Sequence, residues 1–97
     1  MALIVGVCRL DLGIEGNDSL KGKRSVLRRV IDRSRNRFNV AIAEVDDLDV
    51  LDRGVLGFAV VGNDRRVIQS RIDTIVEFID AMGLAPVEDH QFEIVNY

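Results

Sequence analysis

An α+β sandwich is the fold class that this 97-residue sequence predicts, and three observations predict it. Isoleucines recur at helical spacing at Ile68, Ile72, Ile75 and Ile79. A second amphipathic stretch starts at Ser19. Short runs rich in strand formers surround these two stretches and give the order β-α-β-β-α-β. That order suits a ferredoxin-like sandwich: a four-stranded antiparallel sheet, spatial order 4-1-3-2, with both helices on one face. Two right-handed β-α-β crossovers generate it.

Each element has its own signal. Ala2–Leu12 starts apolar and then alternates through Arg9, Leu10, Asp11 and Leu12, as a central strand does when its far end reaches solvent. Gly13–Asp18 reads as a loop. Ser19 is a natural N-cap, and Leu20, Leu27, Val30, Ile31, Ser34 and Phe38 share one face of a helix over Ser19–Phe38. Val40–Val45 is a short strand, Asp46–Arg53 an acidic connection and Gly54–Gly62 an apolar strand. Asn63 or Asp64 can cap the second helix, which carries the isoleucines and Met82 and stops at Gly83, with Pro86 beyond. Gln91–Tyr97 alternates as a last strand. No linker or low-complexity tract interrupts residues 1–97, so one domain is expected. The sheet face without helices should not be wholly polar, and covering it by dimerisation is a reasonable expectation.

Composition narrows the function classes. A single cysteine, Cys8, excludes an internal disulfide, and its apolar surroundings make it a small buried hydrophobe. The first residues lack the basic flank of a signal peptide, and no run approaches the ~20 apolar residues of a membrane span. A soluble cytoplasmic protein is the default expectation. Charge is uneven. Between Lys21 and Arg37 stand eight basic residues and one acid, Asp32, a balance of +7 within a chain of −3, so the remainder carries −10.

Several segments together resemble the YlxP-like proteins, small bacterial proteins with a ferredoxin-like fold. They are Ser19-Leu20-Lys21, Lys23-Arg24, Arg37-Phe38-Asn39, Ala43-Glu44-Val45-Asp46 and Asn63-Asp64-Arg65-Arg66. The resemblance runs from Leu3 to Ile94. The family's function is unknown. Its members are often encoded beside translation-initiation and ribosome-maturation factors, which implies work on RNA or the ribosome by association. No catalytic residue carries over. The family commonly has Glu where this chain has Gly22, so the capping box is lost and a looser, more positive helix start is expected. Relatives also often carry an aromatic in the connection where this chain has Val50 and Leu51.

The candidate anion site is the first helix. At its start lie Ser19, Lys21, Lys23 and Arg24, where free backbone N–H groups and the positive dipole end favour a phosphate. Lys23 falls near the apolar face, in the first turn, where solvent is still within reach. Farther along stand Arg28, Arg29, Arg33, Arg35 and Arg37, whose guanidinium groups suit bidentate phosphate contacts. Lys21, Arg24, Arg28 and Arg35 flank one side of the apolar face. Arg29, Arg33 and Arg37 lie on the back and the other side. The competing reading pairs these cations with Glu44, Asp46, Asp47, Asp49 and Asp52, in the same chain or across a dimer. The acidic stretch fits no EF-hand spacing and reads as a hairpin tip or an internal partner.

The leading functional reading is a non-enzymatic RNA- or ribosome-associated protein that uses backbone or shape recognition, because aromatics for base stacking are few. The runner-up is a protein–protein module, with the basic helix on an acidic partner and a sheet-face homodimer. A third reading, an acylphosphatase-like enzyme, has Arg9 and Asn63 available but no basic phosphate cradle after the first strand. His90 has no companions at ligand spacing. No metal, no cofactor and no membrane partner are expected.

Overall fold

A computed structural model describes residues 2–97. The elements follow the expected order: β1 (Ile4–Gly13), α1 (Leu20–Arg37), β2 (Ala41–Asp46), β3 (Arg53–Gly62), α2 (Arg65–Ala81) and β4 (Val87–Asn96). The sheet order is β2-β3-β1-β4, which is 4-1-3-2 read from the other edge, and every neighbouring pair is antiparallel.

The central strand β1 sets the two faces. Ile4, Gly6, Cys8, Leu10 and Leu12 turn toward the helices and are buried. Directly opposite them on β3 lie Gly62, Val60, Phe58, Leu56 and Gly54. From α2, Ile68, Ile72, Ile75 and Ile79 close the core with no exposure. Gly6 permits this approach: a Cβ there would collide with Ile68 and Ile72. From α1 come Leu27 and Val30. Burial pushes the Cys8 thiol up to about 11, with the charge of Asp73 adding to the effect, so Cys8 remains a packed thiol at neutral pH.

The caps agree with the residues that suggested them. Asp64 caps α2, its Oδ1 accepting from Arg66 N (2.8 Å) and Val67 N (3.2 Å). Gly83 ends it with a positive φ of 70°. One boundary differs. β4 starts at Val87 rather than Gln91, because Val87–His90 pair with the outer half of β1. Glu88, Asp89 and His90 are weak strand formers, and cross-strand pairing overrides their preference. The pairing passes an irregularity between Asp11 and Leu12.

The second sheet face has no helix over it. Val7, Val45, Val61 and Val95 stand on it with 41%, 53%, 57% and 42% exposure, so that face is not wholly polar, as the alternation suggested. Among the described residues, no helix is long and apolar enough to cross a membrane.

Candidate nucleic-acid interface on the first helix

The start of α1 is built by three side chains. Ser19 has extended backbone, and its Oγ accepts the Gly22 N–H at 3.0 Å. Asn17 folds over the same turn, its Nδ2 donating to Ser19 O (2.8 Å) and to Leu51 O (2.5 Å). A Cβ on Gly22 would collide with Asn17 Oδ1. The glycine therefore makes room for a clasp that joins the helix start to the β2–β3 hairpin. Asn17 occupies the space that a capping-box side chain at position 22 would need, and it donates to carbonyls where a carboxylate would accept the Ser19 N–H.

Lys23 is the second tie and the largest departure from the sequence reading. It does not reach solvent: it is 1% exposed, among the largest fully buried side chains of the protein. Its Nζ donates to Asp47 O (2.6 Å), Val50 O (2.7 Å) and Leu48 O (3.4 Å). Glu44 Oε2 lies 3.0 Å from the same nitrogen. That oxygen is buried and outside hydrogen-bond geometry, so the Glu44 contact is an ion pair rather than a hydrogen bond. A buried ammonium is costly unless polar groups surround it. Here the hairpin's backbone carbonyls supply most of the compensation. Lys23 is therefore unavailable to an external anion.

Two further acids of the hairpin, Asp46 and Asp47, are engaged away from α1. Asp46 accepts from its neighbour Asp47 N (2.8 Å) and from Arg9 Nη2 (3.0 Å), and both hold its carboxyl below the usual range, the backbone N–H more strongly. Asp47, in left-handed backbone with φ 51°, pairs with Arg53. Neither Asp46 nor Asp47 forms an ion pair with an arginine of α1.

Along α1, Lys21, Arg24, Arg28, Arg29, Arg33, Arg35 and Arg37 are all exposed. Arg35 donates through Nη2 to Ile42 O (3.0 Å), capping the free edge of β2. Among the described residues, none of the seven forms an ion pair; the cations in salt bridges are Arg9, Lys23 and Arg53. Arg24, Arg28 and Arg35 line a groove of about 380 Å³ between α1 and β2. Arg29, Arg33 and Arg37 form a second stripe at four-residue spacing, and the Arg37 guanidinium stands 5.9 Å from the Phe38 ring centre. Like charges at this spacing destabilise a helix by a few tenths of a kcal/mol per pair.

Two arginines that the sequence reading did not include continue this surface. Arg66 and Arg71 of α2 line a groove of about 440 Å³ with Phe38, Ser70 and Thr74. The only sequence signal was Asn63-Asp64-Arg65-Arg66, a family mark without a position in space.

Other candidates do not assemble. Arg9 pairs opposite Gly57, whereas Asn63 follows Gly62. Six residues of strand separate the two levels, roughly 20 Å, so they share no phosphate site. His90 is exposed on β4. Among the described residues, no three His, Cys, Asp or Glu side chains converge on a metal position.

Residues 5–92 match the family described as "Protein of unknown function (DUF503)". A relative from Bacillus subtilis (strain 168), "Uncharacterized protein YlxP", is 33% identical over 78 residues, 80% of this chain and 85% of the relative. Among solved structures, the de novo designed protein Foldit4 is similar with a TM-score of 0.53 at 12% identity, over 98% of this chain and 96% of that one. LarC2, the C-terminal domain of a cyclometallase involved in synthesis of the lactate racemase NPN cofactor, is similar with a TM-score of 0.53 at 12% identity. It is matched over 100% of this chain and 58% of its own. At such identities the two structures speak for the fold alone.

The two ties at the helix start give separable expectations in urea denaturation. Lys23→Met should lose about 2–4 kcal/mol, because three carbonyls and Glu44 lose their partner. Lys21→Met, two residues away on the surface, should stay within about 0.5 kcal/mol of the parent. Gly22→Ala should bring no gain in the parent, since it displaces Asn17 and its two hydrogen bonds. In an Asn17→Ala background the same change should stabilise by up to about 1 kcal/mol, the ordinary helix preference. Equal effects in both backgrounds would contradict the clasp.

Proposed function

The chain belongs to the YlxP-like family, described as Protein of unknown function (DUF503), and we propose that it is a non-enzymatic protein that binds RNA or a ribosomal particle through α1. The observation that carries this reading is the uncompensated charge of that helix. Seven exposed cations occupy it, none of them in an ion pair among the described residues. Of the five acids in the neighbouring stretch, Glu44, Asp46 and Asp47 are committed to Lys23, Arg9 and Arg53, and Asp49 and Asp52 form no ion pair with the helix among the described residues. Collecting like charges costs helix stability, and a polyanion on this face offsets that cost.

The contacts fall to Lys21 and Arg24 at the helix start, then to Arg28, Arg29, Arg33, Arg35 and Arg37. Ser19 caps the helix beneath them, and Lys23 holds the hairpin beside them. Arginine forks in two stripes suit phosphate oxygens along a backbone. Tyr97 and Phe92, both exposed on or next to β4, are far too few for a base-stacking platform. The binding is therefore backbone recognition with little sequence preference. Such a role places the protein in the cytoplasm.

The test is binding to a labelled single-stranded RNA across a salt series, with co-sedimentation on ribosomal particles before and after nuclease. If five phosphates are contacted, log K should fall against log salt with a slope of about −3.5. The triple change Arg28→Glu, Arg29→Glu and Arg33→Glu should abolish binding without altering the fold. Salt-independent binding, or undiminished binding by the triple variant, would overturn the reading. Co-sedimentation that survives nuclease would point to a protein partner instead.

A further inference from the structure

We propose that the open face of the sheet is a homodimer interface, on which a second copy of this chain packs face to face. The patch runs across all four strands through Val7, Ala43, Val45, Ala59, Val61 and Val95, and a shallow hollow of about 660 Å³ lies at its centre. Small residues make the hollow. Ala43, Gly57 and Ala59 form its floor, and Val45 leans over Gly57, where a Cβ would come 3.0 Å from Val45 Cγ1. Valines standing around a low floor can be set into the same floor of a two-fold related copy.

The chemistry of the face selects a protein partner over a polyanion. Arg9 is a cation on this face and is already held by Asp46 (3.0 Å) and Asp11 (3.9 Å). Glu93, also lining the hollow, adds negative charge. Arg35 reaches the rim of the hollow but donates to Ile42 O, so this face offers a phosphate chain or an anionic membrane surface no stripe of free cations.

Area and charge select a second copy. Three strands of ten residues and one of six span the face. At about 3.3 Å per residue and about 4.8 Å between strands, the footprint is roughly 600 Å² per copy. Accessible area exceeds footprint on a surface of standing side chains, which brings the interface close to the ~800 Å² per partner of a standard stable complex. Face-to-face packing also leaves the two α1 helices on opposite outer sides. The alternative symmetric pairing, through the free edge of β2, would bring Arg24, Arg28 and Arg35 of both copies against each other. The sheet face thus lets copies associate without opposing their basic helices, and it yields a particle with a cationic surface on each side.

Sedimentation analysis of nuclease-treated protein at high salt tests this independently of any RNA. The parent should sediment at twice the 10.8 kDa chain mass. Ala43→Arg and Val61→Glu should each sediment as monomers with unchanged far-UV circular dichroism, whereas Arg29→Glu should remain dimeric. Should a charged variant fail to fold, Val45→Thr and Val61→Thr keep the shape and should raise the dimer dissociation constant at least about tenfold. A parent that stays monomeric at about 100 μM, where micromolar association would be saturated, would overturn the proposal. So would a dimer unaffected by the substitutions on this face.

Discussion

The buried ammonium of Lys23 is the interaction on which the arrangement of this protein depends. It joins the first turn of α1 to the backbone of the β2–β3 hairpin through Asp47 O, Val50 O and Leu48 O, with Glu44 alongside. A lysine placed there cannot leave the site without stranding those groups, so the hairpin and the helix are fixed together. Asn17 ties the same two segments from the other side of the turn, through Ser19 O and Leu51 O. The axis of α1, and with it the direction of its arginines, follows from these two ties and from Leu27 and Val30 in the core.

This arrangement divides the charge of the molecule into two accounts of different character. Three of the five acids from Glu44 to Asp52 are neutralised locally: Glu44 by Lys23, Asp46 by Arg9 and Asp47 by Arg53. The arginines of α1 are left facing solvent. A sequence in which the acidic stretch and the basic helix are adjacent suggests that they neutralise each other. The structure joins them by one ion pair, Lys23 with Glu44; elsewhere α1 meets the hairpin through apolar side chains and backbone carbonyls, and Asp46 and Asp47 turn to Arg9 and Arg53. The positive surface is therefore a property of the fold as well as of the composition. Arg66 and Arg71 extend it onto α2, beside Phe38.

Much of the fold was legible because it rests on periodicity. The isoleucines of α2, the alternation of β1 and the caps at Ser19, Asp64 and Gly83 all act locally, and each is where the pattern put it. The start of β4 was not legible, since Val87–His90 become a strand only by pairing with β1. Lys23 could be placed near the apolar face, but its partners are mainly backbone carbonyls, and no residue type announces a carbonyl. Gly22 read as a weakness because the space it leaves is filled by Asn17, five residues earlier in the chain. The arginines of α1 were legible as charges. That they are unpaired became clear only once the positions of the acids were known.

The most direct measurement uses the fact that the chain contains only two lysines, Lys21 and Lys23. Amine acylation followed by mass spectrometry reads both in one experiment, with and without bound single-stranded RNA. Lys21 should label rapidly, Lys23 should be protected until the protein unfolds, and Lys21 should be shielded when RNA is present. Comparable labelling of the two lysines in the folded protein would contradict the buried tie. Labelling of Lys21 at an unchanged rate in saturating RNA would contradict the helix as the binding surface.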